Sequence, residues 1–102
     1  MHASETLSHE EAVPPDWERR GETLVRELDF RDFESALRFV EYIAGRAVDY
    51  GRRPDMCISD FNRVKLTIVN PHRVGLTPAE LRLAEKVSAV IDEQPPDGLT
   101  RR

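Results

Sequence analysis

The chain has 102 residues and a formal net charge of −4, so it is long enough for one domain with one modest core. Its acidic balance, with arginines in scattered pairs, disfavours a nucleic-acid-binding protein, and no apolar stretch predicts a secretory signal or a membrane span. The one cysteine, Cys57, excludes an internal disulfide and predicts a reducing compartment such as the cytoplasm.

The composition divides the chain into three parts. Residues 1–15 are polar and acidic and end in two prolines, which predicts a disordered leader. Residues 95–102 read PPDGLTRR, which predicts a flexible tail. We therefore expect the folded domain over residues 16–94.

Residues 23–30 alternate between polar and apolar side chains, which predicts a half-buried strand. Leu24, Leu28 and Phe30 share the apolar side of that strand. Arg26 falls on the same side, so we expect its guanidinium group to lie at a sheet edge or in an ion pair.

A helix is predicted next, from about Asp32 to Tyr50, and Gly51 suits the left-handed position that ends a helix. Apolar residues recur there at intervals of three and four. They predict the face that packs on the core: Phe33, Ala36, Leu37, Val40, Ile43, Ala44 and Ala47.

Two strands are predicted after the helix, over residues 56–61 and 63–69. In the first, Cys57 alternates with apolar neighbours, which favours an inert thiol in the core over a nucleophile. In the second, the even-numbered apolar residues are predicted to point inward. Pro71 should end this strand, because proline has no N–H to donate to the ladder.

The last predicted helix runs from Pro78 to about Gln94. Thr77 suits the N-cap, Pro78 suits the first helical position, and Glu80 can reach back to the cap as in a capping box. The whole pattern predicts an α+β protein, in which helices cover one face of an antiparallel sheet.

Several short motifs follow one another along the chain. They are Trp17, Leu24-x-Arg26-x-Leu28-x-Phe30, the apolar helix face after Phe33, Pro54-Asp55, Phe61-Asn62-x-Val64 and Gly75-Leu76-Thr77-x-x-Glu80-x-x-Leu83-Ala84. In this order and spacing the chain resembles the pterin-4a-carbinolamine dehydratase family. The resemblance implies a four-stranded antiparallel sheet with helices on one side, assembled into homodimers or dimers of dimers.

The resemblance also implies where a catalytic site would lie. The family carries a Glu-x-x-x-His-His-Pro motif, a further histidine after the aromatic-Asn strand, and an acid near the last helix. Here Val48 takes the place of the glutamate, and Arg52 and Arg53 take the places of the two histidines. Pro71 falls at the third histidine position, which leaves His72 one residue late unless a bulge at Asn70-Pro71 shifts it back.

Glu80 keeps an acid at the family's position, although the capping box already gives it a structural role. Arginine neither accepts a proton nor readily releases one, because its pKa exceeds about 12. These departures predict a site without acid–base catalysis. Arg52, Arg53, His72 and Glu80 stay candidates for binding, and the arginine pair would suit a carboxylate or phosphate of a partner. A solvated corner is the alternative for the two arginines.

Three functions follow from the resemblance. The first is a non-catalytic assembly factor or chaperone for RuBisCO, with the large subunit as partner, as in degenerate family members of α-carboxysomes. It would be cytoplasmic or carboxysome-associated. The second is an atypical 4a-hydroxytetrahydrobiopterin dehydratase that uses His72 and Glu80. The third is a dimerisation partner of a transcription factor. No pattern in the sequence predicts a metal or cofactor site, a nucleic-acid partner or a membrane partner.

Overall fold

The computed structural model describes residues 13–52, 54–72 and 75–101, apart from the side chains of residues 47–50. These residues form five strands and two helices. In chain order the elements are β1 (Glu18–Arg20), β2 (Thr23–Phe30), α1 (Phe33–Tyr50), β3 (Asp55–Ser59), β4 (Arg63–Val69), α2 (Pro78–Glu93) and β5 (Leu99–Arg101). The strands form one antiparallel sheet in the order β1-β2-β4-β3, with β5 pairing with β2 as well.

The centre of the sheet is the pair β2 and β4. Their register runs from Thr23 opposite Val69 to Asp29 opposite Arg63 without a shift. Both strands alternate, and their inward side chains are fully buried. The two helices pack on this inward face, so the predicted α+β class is confirmed. The core consists of Trp17, Leu24, Leu28, Phe30, Ala36, Phe39, Ile43, Val64, Leu66, Ile68, Leu76, Leu83, Ala84, Val87 and Ile91.

Helix α1 begins after Asp32, whose Oδ1 accepts the backbone N–H of Ser35 at 2.8 Å. Its buried line is Ala36, Phe39 and Ile43. The prediction that Phe33 and Leu37 belong to the core face was wrong, since they are 44% and 39% exposed. The apolar face of α1 is wider than the part of the helix that packs on the sheet, so the apolar side chains at the edge of this face stay in solvent.

Arg26 lies on the central strand β2, yet its side chain is only 1% exposed. Its Nη1 donates to the Ser88 hydroxyl at 3.0 Å, and its Nη2 lies 3.6 Å from the Asp16 carboxylate. The predicted ion pair of Arg26 is therefore confirmed. Trp17 Nε1 donates to the same Ser88 hydroxyl at 2.9 Å, so one hydroxyl of α2 receives both the arginine and the tryptophan.

The prediction that Cys57 is a core thiol was wrong, because its side chain is exposed. Side chains alternate along β3, and the half-buried positions fall on Met56 and Ile58. Cys57 therefore takes the outward face of the strand with Asp55 and Ser59.

The ends of the domain lie outside the predicted range 16–94. Residues 1–12 of the predicted leader lie outside the described residues, whereas Val13 packs against the core and Pro14 is buried. A turn holds them there, since the Trp17 N–H donates to the Pro14 carbonyl at 3.2 Å.

The predicted flexible tail is also corrected, since residues 95–101 form a strap that crosses the start of α1 and ends in β5. The Arg31 N–H donates to the Gly98 carbonyl at 2.7 Å, and Arg101 lies 3.1 Å from the Asp29 carboxylate. The sheet thus gains a fifth strand beyond the four that the resemblance implied. Neither helix of the described residues is long and apolar enough to cross a membrane.

Gly98 allows this strap to lie close to α1. Its φ is +81°, and a Cβ added there would meet the Oγ and Cβ of Ser35, a residue that is 1% exposed. Gly21 is a matched control, because its φ is +61° but a Cβ there would meet nothing within 4 Å. Both alanine variants carry backbone strain, and only one adds a steric clash.

We expect Gly21→Ala to lower the free energy of unfolding by about 1 kcal/mol and Gly98→Ala by about 3 kcal/mol. Urea denaturation measures both values. Amide exchange at Arg31 should also become faster in the Gly98 variant alone, because its acceptor is the Gly98 carbonyl. Equal losses of stability in the two variants would contradict the close packing of the strap on Ser35.

Candidate functional site

The corner between α1 and β3 carries the arginine of the predicted site. Helix α1 ends at Tyr50, and Gly51 has a φ of +76°, as predicted for the residue that ends a helix. The chain then passes through Arg52 to Pro54, which is buried, and enters β3 at Asp55. Arg52 is thereby held beside the end of β4 and the first turn of α2.

Arg52 makes two short hydrogen bonds across this space. Its Nη1 donates to Glu80 Oε2 at 2.6 Å, and its Nη2 donates to the carbonyl oxygen of Val69 at 2.6 Å. The arginine side chain is 29% exposed and the glutamate side chain 1% exposed. Arg52 is therefore a structural tie between three elements, and the alternative of a solvated corner was wrong for this residue.

Glu80 uses its other oxygen to cap α2. The Thr77 backbone N–H and hydroxyl both donate to Oε1, at 2.6 and 2.7 Å, within the predicted capping box. The capping role that the sequence predicts for Glu80 is confirmed. Both carboxylate oxygens thus accept hydrogen bonds, and a buried carboxylate with such partners is held in its charged form.

The pKa of Glu80 reflects two opposing effects. Burial alone would raise it, but the hydrogen bonds from the Thr77 side chain and backbone, together with the bond and charge of Arg52, bring the pKa below its usual value. Glu80 therefore stays ionised at neutral pH. A carboxylate in that state has no proton to donate, and both of its oxygens already accept hydrogen bonds.

Two of the other predicted site positions, Pro71 and His72, are not brought into this cluster. His72 and Pro71 are exposed in the turn after β4, and the His72 backbone N–H donates to Asn70 Oδ1 at 2.8 Å. The pairing of β2 with β4 ends at Val69. Asn70 and Pro71, where a bulge was predicted to shift His72 back, follow the paired residues and lead into a turn. Val48 lies in the last turn of α1, but its side chain and Arg53 lie outside the described residues.

A pocket of about 200 Å³ opens beside Arg52, and the sequence reasoning did not find it. It is lined by Arg52, Ala79, Arg82, Leu83 and Lys86, and we call it the basic pocket. The sequence contained a sign of this pocket, because Arg82 and Lys86 are four residues apart and therefore lie on one face of α2. Within the described residues, no three His, Cys, Asp or Glu side chains converge into a group that could hold a metal ion.

Comparison with known proteins identifies the family. The model of the family described as "Pterin 4 alpha carbinolamine dehydratase" matches residues 2–90. The chain belongs to this dehydratase family. A relative from Thermomicrobium roseum, named for pterin-4-alpha-carbinolamine dehydratase, is 36% identical over 74 residues, which are 72% of this chain and 78% of the relative.

Other relatives and a solved structure agree. A Chloroflexus aurantiacus protein named for the same dehydratase is 33% identical over 87 residues, covering 85% of this chain and 88% of that protein. A crystal structure from Brucella melitensis, described as a transcriptional coactivator/pterin dehydratase, has a TM-score of 0.63 at 26% identity, covering 74% of this chain and 82% of that one. The dehydratase fold is thus shared along most of the chain.

The resemblance to the dehydratase motif places Arg52 where a histidine stands in the Glu-x-x-x-His-His-Pro pattern. The tie between Arg52 and Glu80 should then support the fold rather than a reaction. We expect Arg52→Met to lower the free energy of unfolding by about 2–4 kcal/mol at pH 7, because it leaves the Glu80 carboxylate without its cation. Arg82→Met, on the exposed face of α2, should change it by less than about 0.5 kcal/mol.

The difference between these variants should depend on pH. The folded-state pKa of Glu80 is lowered, so its contribution is complete above the unfolded value of about 4.3 and is lost as the pH falls through the folded value. Urea denaturation from pH 7 to pH 3 should therefore show the deficit of Arg52→Met shrinking in acid. A deficit that is constant over this range would contradict the ion pair as its cause.

Proposed function

We propose that this member of the dehydratase family is not a catalyst and acts by binding another protein, as an assembly factor or chaperone for RuBisCO. The large subunit is the proposed partner, in the cytoplasm or in association with carboxysomes. The observation that supports the proposal is the hydrogen bond between Arg52 and Glu80 at 2.6 Å. In this bond the acid of the site and the residue at a histidine position of the family motif stabilise the fold.

The chemistry of the family explains why this contact matters. Dehydration of a carbinolamine expels hydroxide from carbon and removes a proton from the neighbouring nitrogen, so it needs groups that exchange protons near neutral pH. Arg52 cannot do so, and Glu80 is held in its charged form. The retained scaffold then supports a function that resides on its surface.

An atypical dehydratase that uses His72 and Glu80 is the weaker alternative. His72 is exposed in a turn, and both oxygens of Glu80 are already engaged. A role as a coactivator is a second candidate, because the similar Brucella melitensis structure is described as a transcriptional coactivator/pterin dehydratase. In that role this chain would bind a transcription factor instead of RuBisCO, so a binding assay against RuBisCO separates the two roles.

The basic pocket is the proposed contact surface. Arg82 and Lys86 add two cations beside Arg52, and the chain as a whole is acidic with a net charge of −4. Such a local excess of positive charge suits an acidic patch on the partner, which would also speed association. Arg53 was also predicted to contact an acidic patch of the partner, but this residue lies outside the described residues.

We also propose a homodimer or a dimer of dimers. The flank of α1 presents Phe33 and Leu37 to solvent, and Phe61 in the turn between β3 and β4 is 64% exposed. A second copy that covers such apolar side chains would add to the burial of a small core. Light scattering at micromolar concentration should give at least twice the chain mass of 11.7 kDa, and the monomer mass alone would contradict it.

The first test of the proposal is enzymatic. We expect turnover of the carbinolamine at least a thousandfold below that of an active dehydratase, because each missing acid–base group costs about two to four orders of magnitude. A stopped-flow assay measures this rate, with an active dehydratase as the positive control. Turnover within tenfold of that control would overturn the non-catalytic role.

The second test is assembly of RuBisCO. Co-expression of its subunits with this protein should raise the yield of soluble, active holoenzyme over expression without it. Equal yields would leave the assembly role without support. Reversing the charge of Arg52 is a poor probe of the interface, since it would also place an acid beside the buried Glu80.

Arg82→Glu with Lys86→Glu is the sharper variant. It should weaken binding to the RuBisCO large subunit about tenfold at low salt, and by less at high salt, because screening reduces both the attraction and the repulsion. Arg19→Glu with Lys65→Glu on the sheet is the matched control, because it changes the net charge equally. A similar loss in both double variants would contradict a specific role of the basic pocket.

A further inference from the structure

A second and larger pocket lies at the other end of the helix pair. It has a volume of about 300 Å³ and lies between the first half of α1, the last turns of α2 and the strap. Ala79 of the basic pocket and Gln94 of this pocket are about 20 Å apart along the axis of α2, from the rise of a helix. The two pockets are therefore separate sites, and we call the second one the strap pocket.

The walls of the strap pocket are mostly apolar. The partly exposed side chain of Val90 and the rings of Pro95 and Pro96 line it, whereas Phe39 and Ile91 are core residues that expose only 2% and 0% of their surface. Tyr42, which is 44% exposed, adds a further aromatic side chain. Such walls suit an apolar side chain of modest size, because ligand sites of this kind start at about 300 Å³.

The strap holds this wall in place before any ligand arrives. Gly98 bonds to the Arg31 N–H and lies against Ser35, and Leu99 pairs with Phe30 in the sheet. Prolines at positions 95 and 96 have restricted backbone angles. The pocket is thus preformed, which reduces the ordering cost of binding.

Two opposite charges line the strap pocket. Arg38 makes one long hydrogen bond, from Nη2 to Ser35 Oγ at 3.4 Å, and Asp97 lies on the strap. No ion pair joins Arg38 to Asp97 in the described part of the chain. A cation and an anion at one apolar pocket favour a ligand that carries both charges, and they disfavour a polyanion such as a nucleotide.

We infer that the strap pocket binds an apolar α-amino acid, with its carboxylate on Arg38, its ammonium group on Asp97 and its side chain against Tyr42 and Val90. The volume accommodates a side chain as large as leucine or phenylalanine. This site is independent of the proposed role in RuBisCO assembly. It gives the chain a small-molecule ligand far from the corner that the family motif marks.

Nuclear magnetic resonance of the methyl groups of Val90 and Ile91 tests the inference directly, because both residues line the pocket. The probes are L-leucine, isocaproate, which keeps only the carboxylate, and isoamylamine, which keeps only the ammonium group. L-leucine should bind with a dissociation constant of about 0.1–5 mM, the range expected for about nine heavy atoms in a half-open pocket. The two single-charge probes should bind about tenfold more weakly.

Two charge variants assign the ends of the ligand. Arg38→Gln should weaken L-leucine binding at least fivefold and leave isoamylamine unchanged, whereas Asp97→Asn should weaken L-leucine and leave isocaproate unchanged. Both side chains are exposed, so the fold should persist. Arg82→Gln, in the basic pocket, is the matched control and should change nothing. No saturable shift up to 20 mM L-leucine, or equal binding of all three probes, would overturn the site.

Discussion

The carboxylate of Glu80 links the elements that surround the candidate site. One oxygen caps α2 through Thr77, and the other receives Arg52, which also bonds to the end of β4 at Val69. The corner after α1, the last residue of β4 and the first turn of α2 therefore depend on a single ionised group. A buried charge of this kind is stable only while all of its partners are present.

This dependence constrains what the site can do. A carboxylate that holds three elements together cannot also take up a proton during a reaction, because protonation would weaken the contacts that fix its position. The resemblance to the family motif puts a histidine at position 52, and the arginine found there gives the corner a fixed charge instead of a group that could exchange protons. The core of the dehydratase fold does not include Arg52, whose hydrogen bonds go to the end of β4 and the first turn of α2.

Strands β2 and β4 and the start of α2 could be predicted because their signals are local. Alternation gave the inward side chains of β2 and β4, and Thr77 with Glu80 gave the start of α2. The exposure of Phe33 and Cys57 could not be predicted, because it depends on which neighbour covers each face. The strap was missed for a similar reason, since its sequence is typical of a tail and its contacts with residues distant in sequence, on β2 and α1, order it.

The site could be predicted in part. Family resemblance located Arg52 and Glu80, and local spacing gave the cap, but their pairing spans 28 residues and needs the folded chain. The Val69 carbonyl is a backbone group, which no pattern of side chains can mark. Arg82 and Lys86 were not among the predicted site residues, because only the position of Arg52 beside them defines a pocket.

The long-range contacts of the chain's two outer segments affect when the domain can fold during synthesis. Trp17 bonds to Ser88, and Thr100 bonds to the Asp29 carbonyl, each across 71 positions. The central strand β2 therefore obtains its last partners only after residue 101 has left the ribosome. Until then its edge near Phe30 is unpaired, and exposed strand edges of this kind promote association with other chains. A nascent chain that pauses before the strap would thus expose a surface that the completed domain covers.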